Sequence, residues 1–207
     1  MSVESSREAF LRALEGLLSS PDAPPPGINA VAKAAGLNKV LIYRYFDSWD
    51  GLLESFAQRV NPWRDLRLTL EQGLAGARWT TLTEAVRWLF HSYLDALSAS
   101  PFLQNLLRLS LVHRDALQTA LERDRENEGL AIARLVVGAF PGTDPELAIV
   151  AAVIIGGLTY VVLAGSRAGV FQGLSFEGEG EGADALPRLH AAADTLADLL
   201  DAKLSKP

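Results

Sequence analysis

Residues 31–46 read VAKAAGLNKVLIYRYF, and this stretch decides the fold of the N-terminal part of the chain. Its alanine-rich first half is typical of a short helix, and Gly36 can adopt the left-handed conformation that ends a helix. Asn38 then stands where a second helix needs an N-cap residue. Two short helices joined by a glycine-containing turn of about three or four residues form a helix-turn-helix, whose second helix enters the major groove of DNA. The same pattern also fits an ordinary helical hairpin whose tyrosines belong to the core.

The second helix of this pair is basic and aromatic, because it carries Lys39, Tyr43, Arg44 and Tyr45. An arginine such as Arg44 can make a bidentate contact to guanine, and Lys39 suits a base or a phosphate. Lys33 adds a positive charge from the first helix. If the two helices form only an ordinary helical hairpin, Tyr43 and Tyr45 would instead be buried in the core.

The longer segment VAKAAGLNKVLIYRYFDSWDGLL, residues 31–53, resembles the DNA-binding region of TetR-type transcriptional regulators. The resemblance rests on Val31-Ala32, Ala35-Gly36, Tyr43-Arg44-Tyr45-Phe46 and Leu52-Leu53, and it covers roughly residues 5–60. It implies an all-α homodimer with an N-terminal three-helix helix-turn-helix head and a larger C-terminal helical domain for effector binding and dimerisation. Such a protein binds a palindromic operator in double-stranded DNA. We expect a repressor that a small, mostly hydrophobic molecule releases.

The resemblance also assigns DNA-contacting positions. They are occupied here by Lys33, Asn38, Lys39, Leu41, Tyr43, Arg44, Tyr45 and Trp49. Three residues depart from the family pattern. Gly27 replaces the usual Thr or Ser cap of the second helix, Leu41 replaces a common hydroxyl residue, and Trp49 replaces the usual lysine. Since each change removes a polar or cationic backbone contact, the salt dependence of DNA binding should be shallower than in a typical relative. Leu41 and Trp49 would alternatively pack on sugars or a thymine methyl group.

The charge balance does not favour DNA binding. The net charge is −6 over 207 residues, and residues 1–60 hold six Lys or Arg against seven Asp or Glu. Phosphate neutralisation supplies most of the non-specific affinity of a DNA-binding protein. A local basic patch can still serve, because charges are screened over about 8 Å at physiological salt. The balance keeps a second interpretation open, a helical small-molecule-binding or protein-interaction dimer whose head reads DNA weakly or not at all.

The composition indicates a folded protein and permits a reducing cytoplasm. Hydrophobic residues make up 49% of the chain and charged residues 21%, which is typical of a chain that buries a core. The absence of cysteine excludes disulfides and thiolate chemistry, and the early acidic residues do not resemble a secretory signal. We therefore expect a cytoplasmic protein.

Apolar periodicity predicts helices along the whole chain and no strand of useful length. A proline-rich loop follows the first helix, a fourth helix begins near Ser48 or Asp50, and Asn61-Pro62 ends or kinks it. We place the DNA-binding domain at residues 1–48 and the effector and dimerisation domain at residues 49–207. Helices are expected at residues 5–19, 113–140 and 187–204. The Gly- and Glu-rich segment 171–185 is expected to be a mobile loop.

Residues 147–164 read LAIVAAVIIGGLTYVVLA and carry no charge. Eighteen apolar residues just reach the length of a membrane span, but no basic cluster flanks them to set a topology. An uncharged helix in a soluble protein is buried in a core or in a subunit interface. We predict no membrane association. The last two long helices of TetR-like proteins form a four-helix dimer interface, and this helix and 187–204 resemble them.

Large side chains with polar tips in the C-terminal part are candidates for orienting a small apolar ligand. They are Trp88, His91, Tyr93, Phe102, Asn105, Arg108, His113 and Tyr160. Each is equally compatible with a satisfied core or surface position.

Enzymatic chemistry has little support in the sequence. The three histidines, His91, His113 and His190, are scattered, and the chain has no HExxH motif, glycine-rich phosphate loop or nucleophile elbow. His91 and Asp95 have the spacing of a helical pair. We predict no enzyme activity, no catalytic residues, no metal site and no cofactor.

Overall fold

The computed structural model describes residues 3–20, 23–144, 146–177 and 184–204, leaving out the side chains of residues 62 and 201–204. Within these residues the fold is all-α apart from one small hairpin, as predicted. The elements are α1 (Val3–Leu18), α2 (Ile28–Ala35), α3 (Val40–Phe46), α4 (Trp49–Arg59), α5 (Pro62–Ala75), α6 (Leu82–Ala99), α7 (Pro101–Val112), α8 (Ala116–Ala139), α9 (Leu147–Ala168), β1 (Val170–Phe171), β2 (Leu174–Ser175) and α10 (Ala185–Leu204).

The chain divides into two compact units. The first comprises residues 1–62 and 100–127, and the second comprises residues 63–99 and 128–207. The contact pattern thus adds α7 and half of α8 to the N-terminal helices. The functional boundary near residue 48 stays a prediction, because compactness does not test which residues contact DNA.

The first unit is built on the apolar face of α1. Phe10 and Leu14 are fully buried one turn apart, as the helical spacing predicts. Phe10 meets Phe46 of α3 edge to face, with ring centroids 6.3 Å apart. Ile42 of α3 and Phe56 of α4 are also fully buried. The core therefore holds α3 by Ile42 and Phe46, which fixes the side of α3 that faces outward.

In the second unit, α6 begins with a capping box, which the spacing of Thr81 and Glu84 in the sequence predicts. The Glu84 backbone N–H donates to Thr81 Oγ1 at 3.2 Å, and the Glu84 carboxylate accepts from the Thr81 N–H at 3.2 Å. Val86, Phe90 and Tyr93, which lie three or four residues apart on one face of this helix, are buried. This helix packs against α9 and α10.

The segment predicted as a mobile loop contains a hairpin, so this part of the prediction is wrong. Antiparallel pairing joins Val170 to Ser175 and Phe171 to Leu174. The turn residues Gln172 and Gly173 both have positive φ, at 48° and 81°, which matches a tight two-residue hairpin turn. Strands of two residues are too short to produce a visible alternation. Residues 178–183 of the predicted loop lie outside the described residues, and its last residue, Ala185, begins α10.

Helix α9 exposes much of its apolar surface within its unit. Ile149 is 68% exposed, Val153 71% and Tyr160 63%. By length and composition it is the one described helix that would suffice to cross a membrane, which is weak evidence because core helices pass the same test. An exposed apolar face of this kind marks a candidate interaction surface.

Candidate nucleic-acid interface

The turn between α2 and α3 has the predicted geometry. Gly36 has φ of +66°, and the Leu37 N–H donates to the Ala32 carbonyl at 3.0 Å. This backbone bond satisfies a carbonyl at the end of α2, and the left-handed residue is one that glycine adopts without strain. At the other end of α2, Gly27 caps the helix without a side-chain hydrogen bond. The absent hydroxyl at position 27 is therefore a real loss of a capping contact.

The start of α3 differs from the prediction by one residue. Lys39, not Asn38, occupies the N-cap position. The Asn38 side chain instead accepts a hydrogen bond from the Val40 N–H at 2.9 Å, which is an Asx turn that leads into the helix. Lys39 Nζ donates to Asn29 Oδ1 of α2 at 3.2 Å. This contact joins the two helices of the motif and leaves the Lys39 charge at the surface.

The outward face of α3 is formed by Val40, Tyr43 and Arg44, which lie three and four residues apart. Val40 is 62% exposed and Tyr43 is 53% exposed, and Arg44 is also exposed. The face therefore presents one apolar, one aromatic and one cationic side chain. This placement argues against the hairpin interpretation for Tyr43, which is not a core residue.

The remaining predicted DNA-contacting residues fall into two groups. Lys33, Asn38 and Lys39 are exposed, whereas Leu41, Tyr45 and Trp49 are half-buried. Five of them lie on α2, α3 or the turn between these helices, and Trp49 is the first residue of α4. The structure thus brings the set together on one motif, and their contacts with DNA stay a prediction.

Arg7 of α1 is a positioning residue that the sequence analysis missed. Its guanidinium donates a hydrogen bond to the Tyr45 carbonyl, at the end of α3 where carbonyls have no partner within the helix. The same guanidinium lies over the Phe46 ring, 4.3 Å from its centroid. A cation at a helix C-terminus is also favoured by the helix dipole. Arg7 therefore fixes the end of α3 to α1.

The backbones of α3 and α4 approach each other closely at the junction between these helices. Asp47 has a positive φ of 66°, and the Ser48 side chain caps α4 by accepting from the Gly51 N–H at 2.9 Å. A Cβ atom on Gly51 would lie 2.0 Å from the Phe46 carbonyl oxygen. The close approach of these two backbones requires glycine at position 51.

Some of the acidic charge in residues 1–60 is neutralised locally. The Glu8 carboxylate accepts two hydrogen bonds from Arg59, at 2.7 and 2.8 Å, and Glu15 lies 3.4 Å from the same guanidinium. The hydrogen bond from Arg59 holds the pKa of Glu8 below its ordinary value of 4.5. These acids of α1 are therefore paired with a cation of α4, which is already counted among the six basic residues, so the charge balance of residues 1–60 is unchanged.

The predicted ligand residues divide between the two units. Phe102, Asn105, Arg108 and His113 belong to the first unit, whereas Trp88, His91, Tyr93 and Tyr160 belong to the second. The set is therefore not one cluster within either unit, and ligand contact stays a prediction for each member.

In the first unit, Asn105 has a packing role. It is 1% exposed, and its amide donates to the Leu18 carbonyl of α1 at 3.0 Å. Phe102 meets Phe56 edge to face at 6.0 Å, and His113 is exposed. Arg108 hydrogen-bonds Gln104 at 3.4 Å on its own helix, as expected from spacing of four residues.

In the second unit, Tyr93 is buried and its hydroxyl lies 2.6 Å from Thr159 Oγ1 of α9. Trp88 packs against Trp79 with centroids 4.7 Å apart. Tyr160 is mostly exposed and meets Phe171 edge to face at 5.8 Å.

The histidines pair differently from the spacing-based expectation. His91 contacts Asp194 of α10 at 2.9 Å, and Asp95 contacts His190 at 2.9 Å, so the predicted pairing of His91 with Asp95 is wrong. The contacts run between helices because α6 and α10 pack side by side. Among the described residues, no three His, Asp or Glu side chains are arranged to hold a metal ion.

The first unit contains a helix-turn-helix, and comparison with known proteins shows what this motif is similar to. Residues 27–56 match the family described as bacterial regulatory proteins, tetR family. Two uncharacterized HTH-type transcriptional regulators from two strains of Mycobacterium tuberculosis are each 38% identical over 56 residues. The match covers 27% of this chain and 28% of those relatives.

Solved structures extend the likeness in fold to nearly the whole chain. A putative TetR-family regulator from Mesorhizobium loti superposes with a TM-score of 0.64 at 15% identity, covering 98% of both chains. The fatty acid degradation regulator FadR from Bacillus halodurans gives 0.63 at 18% identity, covering 98% of this chain and 97% of the other. FadR from Bacillus subtilis in complex with stearoyl-CoA gives 0.62 at 16% identity over 93% and 96%. Residues 27–56 are thus similar to the DNA-binding region of the tetR family, and the solved structures show the same fold over nearly the whole chain.

Proposed function

We propose that the chain is a cytoplasmic, ligand-responsive transcriptional repressor whose α3 reads the major groove of a palindromic operator. The observation that carries this proposal is the exposed face of α3, with Tyr43 and Arg44 beside Lys39 and Lys33. Cationic and aromatic side chains on the second helix of a helix-turn-helix are suited to phosphates and base edges. The family's regulatory character supports this role rather than an enzymatic one.

Arg44 is the residue whose loss is most informative. A guanidinium that reads guanine should contribute about 1–3 kcal/mol of discrimination, whereas a phosphate contact should weaken all sequences equally. We expect Arg44→Ala to lower affinity for the preferred duplex about five- to 150-fold for each half-site contacted, as the corresponding free energy requires. The matched control is Arg114→Ala, because Arg114 is exposed and lies outside the helix-turn-helix.

The experiment is fluorescence anisotropy with a duplex enriched by the protein from a random-sequence pool, titrated over a series of salt concentrations. We expect tight binding that weakens with salt, a loss with Arg44→Ala and none with Arg114→Ala. If no duplex is enriched, the alternative of a helical dimer whose head does not read DNA is correct. The uncapped Gly27 and the acidic balance of residues 1–60 are the observations in favour of that alternative.

The proposed active form is a homodimer joined through α9 and α10. The exposed apolar side chains Ile149, Val153 and Tyr160 of α9, with Leu199 of α10, supply the surface that a second copy would cover. Burying such a face removes apolar area from water at about 25 cal/mol per Å². We expect sedimentation velocity to give a dimer, and Val153→Glu to give monomers. Val112→Glu, at an equally exposed valine of α7, should leave the dimer intact.

The proposed effector is a small, mostly hydrophobic molecule bound by the body, residues 49–207. The solved structure of Bacillus subtilis FadR contains stearoyl-CoA, which makes long acyl chains the first class to examine. The ligand must prefer the conformation that does not bind DNA, since only a difference in affinity shifts the equilibrium. We expect stearoyl-CoA to release the fluorescent duplex and coenzyme A without an acyl chain to leave it bound. Equal effects of both compounds would exclude an acyl effector.

A further inference from the structure

Val40 is an apolar residue whose exposure the fold does not explain. It is 62% exposed, whereas the apolar residues that attach α3 to the core are Ile42 and Phe46. An exposed β-branched residue in a helix is less favourable than alanine, because its side chain loses rotamer freedom. Val40 therefore contributes little to the stability of α3, and its side chain is available to a partner of the helix.

Val40 shares its face with the residues proposed to read DNA. Tyr43 and Arg44 follow it at three and four residues, so the three side chains point to the same side of α3. If this face lies in the major groove, Val40 contacts base edges rather than solvent. An isopropyl group has neither a donor nor an acceptor, so it cannot distinguish bases by hydrogen bonds. The apolar group that a base pair offers in this groove is the C5 methyl group of thymine.

We propose that Val40 is a specificity-determining residue that recognises the methyl group of one thymine in each operator half-site. The inference rests on the proposed DNA-binding function. Helix geometry also places the thymine. Four residues of helix advance about 6 Å, which is close to two base-pair steps of about 3.4 Å. The thymine should thus lie about two base pairs from the base contacted by Arg44 when α3 runs along the groove.

The experiment replaces each thymine of the enriched duplex, one position at a time, by deoxyuridine. This change removes the methyl group and leaves every base-pairing hydrogen bond intact. Wild-type protein should lose about fourfold in affinity at one thymine, the factor that corresponds to one buried methyl group. Substitution in both half-sites should lower the affinity about fifteenfold, because the free energies of the two contacts add.

Two variants decide whether Val40 makes the contact. Val40→Ala keeps the helix, since alanine has the highest helix propensity. Its loss of affinity on the deoxyuridine duplex should fall clearly below the wild-type fourfold, because only Cβ of the isopropyl group remains. Val112→Ala, at a residue 73% exposed on α7, should retain the full wild-type sensitivity. Circular dichroism is expected to show the same helix content for all three proteins.

The possible results distinguish failure of the Val40 inference from failure of the proposed DNA-binding function. Wild-type binding that is insensitive to deoxyuridine at every position would overturn the inference while leaving DNA binding established. Undiminished sensitivity in Val40→Ala would also overturn it, because another residue would then hold the methyl group. If the wild-type protein enriches no duplex, the proposed function fails and the inference fails with it.

Discussion

Removal of the Arg7 guanidinium tests how α3 is held in the first unit. In Arg7→Ala, the Tyr45 carbonyl loses its hydrogen bond and the Phe46 ring loses the cation that lies 4.3 Å from its centroid. A hydrogen bond to a charged group contributes about 1.5–3 kcal/mol, and a cation–π contact at an exposed site about 0.5–1 kcal/mol. Arg7 is half-buried, so the lower ends of these ranges apply. We expect a loss of about 2 kcal/mol in the free energy of unfolding.

Arg12→Ala is the matched control on the same helix. Arg12 has a side chain 64% exposed and lies 3.8 Å from Glu8, so its removal should cost less than about 0.5 kcal/mol. The assay is urea unfolding followed by circular dichroism, with the midpoint and slope compared between variants. Arg7→Ala should also weaken operator binding, because the end of α3 is no longer fixed to α1. Equal stability of the two variants would refute the assigned role of Arg7.

Three further changes test the local structure of the helix-turn-helix and of α6. Gly51→Ala should destabilise the protein by about 1–3 kcal/mol, because the new Cβ would lie 2.0 Å from a carbonyl oxygen of α3. Gly16→Ala, with open space around it, should stabilise α1. Thermal melts that rank the two variants in the opposite order would contradict this packing. Gly27→Ser should stabilise α2 by a few tenths of a kcal/mol and strengthen DNA binding, and Gly27→Ala should do neither, because only serine can cap the helix. A hydrogen bond from the Thr80 backbone N–H lowers the pKa of Glu84 below its ordinary value of 4.5. The ionised carboxylate therefore stabilises α6 at pH values above 4.5, and this stabilisation is lost as the pH falls through the lowered pKa. Glu84→Gln should make the melting temperature less dependent on pH in this range. An unchanged dependence would exclude the Glu84 cap as its cause.

The sequence was sufficient for the features that depend on local chemistry. The left-handed Gly36, the capping box of Thr81 and Glu84, and the break between α4 and α5 each depend on neighbouring residues with known backbone preferences. The apolar spacing of α1 was enough to predict its buried face. Exposure of Tyr43 was not predictable, because a tyrosine suits both a core and a surface.

The features that the sequence did not reveal depend on contacts between distant residues. Arg7 and Tyr45 are separated by 38 positions, and no local pattern connects an arginine of α1 with the end of α3. His91 pairs across to Asp194 of α10 because two helices lie side by side, although Asp95 has the better spacing in sequence. The role of Asn105 in holding the Leu18 carbonyl is hidden for the same reason.

The most direct test of the central claim is methylation interference with dimethyl sulfate on the enriched duplex. This reagent modifies N7 of guanine, an acceptor exposed in the major groove. If Arg44 and its face of α3 lie in that groove, methylation of guanines in two symmetric half-sites, about one helical turn apart or a multiple of it, should abolish binding. Binding that tolerates methylation of every guanine in the site would contradict the account.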